Sequence, residues 1–301
     1  MNIVIKANEN LLNEIKQYYY ADLDFSNDIP YTKFVISQSD LKVIAYTSNK
    51  VMFQGKNATK EAALWQEIES QVSANSNCNC ILGGIESEHI GSDEVGTGDY
   101  FGPVVVCASY INQELANEIS KYDIKDSKKL SDDQIRVLAD KIRDIVPHVV
   151  YVLDNEKYNN AVATGNNANT IKAKMHNYVL SKLIKQINKK PLVIVDQFCS
   201  EKNYYNYLKD TKVVVDQIHF ETKAEDKYLG VAVGAIIARD AFLEEMDKLS
   251  IKVGFTLQKG ASNKVDMQGC DIIEKYGEDY LNKVAKIHFV NTQKIKEHMK
   301  Q

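Results

Sequence analysis

A chain of 301 residues has room for two domains or one large one, and 44% hydrophobic with 26% charged residues describes a folded core rather than a disordered chain. A formal net charge of −4 excludes bulk positive charge as the means of holding a polyanion, so a nucleic-acid partner would need local basic clusters or bound cations. Five cysteines, an odd number with no CxxC pair, suit a reducing compartment better than a disulfide framework.

In chain order, NIVIK reads as a strand and Asn10 to Tyr20 as an amphipathic helix. Three strand-like runs follow, YTKFVIS, LKVIAYT and KVMFQG, and then a helix from Thr59 to Val72 that carries Trp65. This is a small α+β domain, ending in the polar linker SANSNCNC (Ser73 to Cys80). Domains of 1–80 and 81–301 are expected. Beyond residue 85, strands are expected at His89–Val95, Val104–Ile111, His148–Leu153, Leu192–Val195 and Val213–Ile218. Helical periods fall at Asp132–Val146, Ala168–Gln186 and Glu225–Leu249. Early strands that neighbour one another and later ones separated by helices predict a mixed sheet flanked by helices, an α/β fold. The N-terminus has neither a basic segment nor a sustained apolar one, and the longest apolar run, Leu229 to Ala238, is too short for a bilayer. A cytoplasmic chain without membrane contact is expected.

The stretch 91-GSDEVGTGDYFGP-103 sets Asp93 and Glu94 before a glycine-rich loop. Its spacing is neither GxGxxG nor a Walker loop, and a second strand follows where a phosphate loop would need a helix. Neighbouring side chains of a strand point to opposite faces, so for the two acids to act together the pleat must break nearby or Glu94 must reach around. Two further acidic loci end core elements. Asp196 closes the apolar strand in PLVIVDQF, where a carboxylate is costly unless it is paired, hydrogen-bonded or metal-bound. Glu225 and Asp226 open an apolar helix rich in small residues, where helix-dipole compensation alone would explain them. Taken together, clustered carboxylates without thiolate or paired histidine point to Mg2+ or Mn2+, with two ions serving in-line attack of water on a phosphodiester.

SDEVGTGDYFGP, DSKKLSD (Asp126 to Asp132), VDQF and KAE before an apolar helix containing ARD resemble, in order, the type 2 ribonucleases H, and most nearly the ribonuclease HIII branch. The first part resembles that branch's appended TATA-binding-protein-like domain, most clearly in AYTSNKVMFQGKNA (Ala45 to Ala58). The resemblance implies a ribonuclease H-like fold, a metal-dependent endoribonuclease that cuts the RNA strand of RNA–DNA hybrids to 5′-phosphate and 3′-hydroxyl ends, and catalytic, metal-holding carboxylates at Asp93, Glu94, Asp196 and Glu225. Glutamate in KAE, where ribonuclease HII has aspartate, favours HIII. So does Gly96-Thr97-Gly98, where HII has Gly-Arg-Gly; this loop is expected to contact the RNA strand and to cut lone ribonucleotides poorly.

By the same resemblance Lys128 and Lys129 contact phosphate, although the pattern alone reads as a solvated turn before a helix capped by Ser131. Lys33, Lys42, Lys50 and Lys56, interleaved with Tyr31, Tyr46 and Phe53, could offer a hybrid one face of the first domain's sheet. Half-buried strands with solvated lysines explain them about as well. His219, His288 and Asp240 read as structural. The alternatives are a ribonuclease HII-like enzyme that cuts at single ribonucleotides, a nuclease of broader substrate range, and a non-catalytic hybrid- or DNA-binding protein. Nothing in the sequence requires a protein partner, and monomer is the default.

Overall fold

In the computed structural model, which describes all residues except 1, 8, 20–23, 25–28, 39, 64, 66–87, 123, 125–128 and 301, the chain divides into two units, Met1–Cys80 and Ile81–Gln301. The first contains β1 (Asn2–Lys6), α1 (Glu9–Tyr18), β2 (Thr32–Ser37), β3 (Leu41–Tyr46) and β4 (Lys50–Gly55). The strands form one antiparallel sheet in the order β1-β4-β3-β2. Period-two alternation sends Val43, Ala45, Val51 and Phe53 into a core with Leu12 and Ile15 of α1 and with Trp65. Phe53 is therefore core, and does not share a face with the lysines as expected. The register pairs Lys6 with Lys50 and Lys42 with Gln54, flanking a row of Val4, Met52, Ile44 and Val35. Lys42 and Lys50 thus share the other face. Residues 58–63 are helical, but most of the expected Thr59–Val72 helix, the linker, Cys78 and Cys80 lie outside the described residues.

The second unit is built on β5 (His89–Val95), β6 (Val104–Ile111), β7 (His148–Leu153), β8 (Leu192–Asp196) and β9 (Ile218–Glu221). Its helices are α2 (Gln113–Ile119), α3 (Asp132–Arg143), α4 (Asn155–Ala163), α5 (Ala168–Ile187), α6 (Glu201–Tyr207), α7 (Leu229–Val253), α8 (Asn263–Tyr276), α9 (Leu281–Val284) and α10 (Val290–His298). The sheet order is β7-β6-β5-β8-β9, antiparallel through β5, β6 and β7 and parallel from β5 to β8 and β9, so it is mixed as expected. Separate apolar cores fill its two faces, one beneath α3 and α7 and the other beneath α5 and α6. Among the described residues no helix is long and apolar enough to cross a membrane.

Two elements differ from the sequence reading. The run Val213 to Val215 is not in a strand. The Asn177 side chain donates to the Val213 carbonyl at 2.7 Å and accepts from the Val215 amide at 2.9 Å, taking the place of ladder bonds, and pairing begins only at Ile218. The last long helix begins at Leu229 rather than Glu225, because Ala224–Asp226 forms a separate 3-10 turn entered through Lys223 at φ +53°. Ser131 does cap α3, in a reciprocal capping box with Gln134.

The small residues of α7 let its backbone lie directly on β5. A Cβ at Gly91 would stand 2.1 Å from the Val231 amide nitrogen, and one at Gly230 would stand 2.9 Å from the Gly91 nitrogen. Buried polar groups fasten the contact. The Gly230 amide donates to His89 Nε2 at 3.0 Å, and Ser109 Oγ donates to the Gly230 carbonyl at 2.6 Å. The turn bearing Glu225 is thereby held against the end of the sheet.

Candidate active site

The four candidate carboxylates come from three places: Asp93 and Glu94 near the end of β5, Asp196 at the end of β8, and Glu225 in the 3-10 turn. The β5–β6 register continues unbroken past both acids, pairing Asp93 with Cys107 and Glu94 with Val106, so the pleat does not break. Asp93 leaves on the α7 face and Glu94 on the α5 face, and it is Glu94 that must reach around the strand end.

The electrostatics of the four groups interlock. Burial pushes the Asp93 carboxyl well above the usual carboxylate range, and the neighbouring charges of Glu94, Asp196 and Glu225 push it further. Burial likewise raises Asp196, as do the charges of Glu225 and Glu94, and its carboxyl hydrogen-bonds Glu225. Burial also acts against charge on Glu94, but hydrogen bonds and charge from His176 and Lys172 outweigh it and hold its carboxyl below the ordinary value. Asp226, beside Glu225, is exposed.

Asp93, Asp196 and Glu94 are each turned toward a donor of the chain itself. Asp93 Oδ1 accepts from the Glu94 amide at 2.7 Å, and Asp196 Oδ1 from the Ala224 amide at 2.8 Å. Glu94 accepts from Lys172 Nζ at 2.9 Å and His176 Nε2 at 2.8 Å. Among the described residues, no three His, Cys, Asp or Glu side chains are arranged to hold one ion. The donor set is nonetheless that of a hard divalent cation, whose charge would relieve the mutual repulsion of the acids.

Lys172 and His176 escaped the sequence reading. Their i, i+4 spacing in NTIKAKMHN puts both on one face of α5, but the same spacing serves any buried helix face. Arg239 of ARD is a second omission. It donates to the Leu130 carbonyl at 3.1 Å and to Asp132 at 2.9 Å, and Lys259 also pairs with Asp132, so the end of DSKKLSD is fastened to α7. Lys129 is exposed beside this anchor, and Lys128 lies outside the described residues. Asp240 pairs with Arg143 at 2.6 Å, in keeping with a structural role.

The glycine loop is braced by the C-terminal segment. Lys286 is fully buried, and its ammonium donates to the carbonyls of Asp99 at 2.8 Å and Gly102 at 2.5 Å. Thr292, in the stretch HFVNTQK, meets Tyr100 Oη at 2.9 Å, and the Gly260 amide donates to Asp99 Oδ1 at 2.5 Å. Gly96 sits at φ +88°, and a Cβ there would lie 2.3 Å from the Pro103 carbonyl oxygen, so the turn itself demands glycine. A Cβ at Gly98 would meet nothing within 4 Å.

Burial pushes the Lys286 amine down to about 7 from 10.5, although Asp99 favours its charge. The unfolded chain therefore binds the extra proton between these values, and stability is gained as pH rises from about 7 toward 10.5. Lys286→Met should cost about 1–3 kcal/mol in urea unfolding, because it strands the Asp99 carbonyl. The gap between wild type and variant should widen toward pH 10. A gap that is constant with pH would leave the amine protonated in both states and contradict the burial argument.

The sequence profile described as Ribonuclease HII matches residues 90–292, and one described as a domain of unknown function, DUF3378, matches residues 2–77. A protein named ribonuclease HIII from Lysinibacillus sphaericus is 40% identical over 304 residues, with 98% of each chain covered. Another of the same name from Geobacillus sp. is 40% identical, with 97% of each covered. A crystal structure titled as Bst-RNase HIII in complex with Mn2+ is 38% identical, covers 100% of this chain and 99% of that one, and superposes with a TM-score of 0.72.

Proposed function

The chain belongs to the ribonuclease HIII branch of the ribonuclease HII family and is a ribonuclease H enzyme, and from that premise we propose that it hydrolyses the RNA strand of RNA–DNA hybrids at the carboxylates Asp93, Glu94, Asp196 and Glu225. The observation that carries the site is the mutual electrostatic reach of these acids at one end of the sheet, beside the open position at Gly98. The Mn2+ named with Bst-RNase HIII supports Mg2+ or Mn2+ as the ion for this chain. Bound there, two such ions would supply an activated water and neutralise charge on the leaving oxygen.

The chain's own residues do the rest. Gly96 makes the turn, and Gly98 with Thr97 presents backbone with little side chain to the ribose, whose 2′-hydroxyl distinguishes RNA from DNA. Lys286, Tyr100 and Asp99 keep that loop in place from beneath. Lys129, next to the anchor made by Arg239, would meet phosphate, and Lys128 is proposed for the same role. In the first unit, Lys42 and Lys50 flank an apolar row on one sheet face, which suits a hybrid whose backbone must be held without base readout.

The loop has Thr97 where an arginine would serve single-ribonucleotide recognition, so stretches of RNA should be cut far better than a lone ribonucleotide in DNA. An end-labelled hybrid and a one-ribonucleotide duplex, each incubated with Mg2+, Mn2+ or chelator, test the reading together. Metal-dependent cutting of the hybrid's RNA strand alone is expected. Equal cutting of both substrates would move the specificity to the ribonuclease HII kind, cutting of DNA strands would favour a broader nuclease, and binding without cutting would leave the non-catalytic reading.

A further inference from the structure

Among the four acids, Glu94 is held differently from Asp93 and Asp196. Those two accept from backbone amides, whereas Glu94 is gripped by side chains on both oxygens, Lys172 Nζ on Oε1 at 2.9 Å and His176 Nε2 on Oε2 at 2.8 Å. The two grips are not equivalent. His176 is fully buried, meets Ser92 Oγ at 2.7 Å through Nδ1, and stacks on Phe198 with centroids 5.2 Å apart, so its ring is constrained on every side. Lys172 arrives on a flexible four-carbon stem. In that same position its ammonium lies 4.2 Å from the centroid of the Phe198 ring, a further favourable contact for the charge.

We propose that Lys172 is a resident counter-cation of the active site: seated on Phe198, it holds Oε1 of Glu94 and competes with a divalent ion for that oxygen, while His176 fixes Oε2. The inference rests on the carboxylate reading above. Lys172 is a positioning residue, acting on the reaction through Glu94. Its side chain is 12% exposed, so its charge needs a partner, and a crowd of carboxylates without an ion equally needs a cation. It accounts for a nearly buried lysine paired within a group of acids that perturb one another.

Competition for one oxygen has a definite sign. Titration of the substrate-free full chain with Mn2+ by calorimetry, in wild type, Lys172→Met, Lys172→Gln and Lys172→Arg, tests it. Both neutral variants should bind Mn2+ about tenfold tighter or more, since a positive charge beside a divalent ion is unfavourable even at the dielectric of water. Lys172→Arg, which keeps the charge, should stay near wild type. Unchanged or weaker binding in the neutral variants would overturn the proposal and leave the carboxylate site standing. Failure of wild type to bind Mn2+ would overturn both. Met and Gln differ in their ability to donate to Glu94, so if one fails to fold, as judged by melting without metal, the other decides.

Discussion

Asp93→Asn is expected to lower kcat for hybrid cleavage by on the order of 10³-fold or more, while hybrid binding persists. It should also raise the melting temperature of the ion-free protein at neutral pH. Burial and the charges of Glu94, Asp196 and Glu225 hold the Asp93 carboxyl well above its ordinary 3.8. The folded protein therefore binds more protons than the unfolded chain above that value, and stability is lost as pH rises through the folded pKa. Asparagine removes that loss along with one member of the repelling cluster. Activity assays and thermal melts in chelator read the two effects separately. Retained cleavage would remove Asp93 from the chemistry, and a lower melting temperature would contradict the argument from burial and repulsion.

Gly91→Ala should damage the fold itself. The added Cβ would meet backbone, at 2.1 Å from the Val231 nitrogen and 2.3 Å from the Gly230 carbonyl carbon, and no side-chain rotation can relieve that. The loss should reach or exceed the upper end of the roughly 1–3 kcal/mol typical of overpacked cores. Any variant that does fold should be slow, because displacing α7 carries the Glu225 turn away from Asp196, and misplacement by about 1 Å can cost about 10²-fold. Urea unfolding with a parallel cleavage assay measures both. A variant with wild-type stability would show that α7 can slide along β5 without loss.

These two positions illustrate how differently the site could be read from the chain. Asp93 was visible because a buried strand pattern ended in acids and glycines, and Asp196 because an apolar run closed on a carboxylate. The mixed sheet was likewise legible from periodicity and from the spacing of strands and helices. Gly91 was legible only as one of several glycines, since its need arises from a helix 140 residues away in sequence that touches it backbone to backbone. The apolar run at Val213 failed as a strand because Asn177, on a helix, took the hydrogen bonds that a neighbouring strand would have supplied.

The sequence by itself determined the types and order of the elements and which hard carboxylates end them, because hydrophobic period and the cost of burying charge are local properties. Its motifs placed the chain among the ribonucleases HIII. Tertiary structure alone decided what each carboxylate faces. That Glu94 leaves β5 on the far face and meets Lys172 and His176 follows from the unbroken register, not from any pattern around residue 94. That Lys286 supports the glycine loop follows from a chain segment brought back across 184 positions to Gly102. Such contacts join residues whose local patterns are ordinary, and only the packing of helices on the two faces of the sheet makes them neighbours.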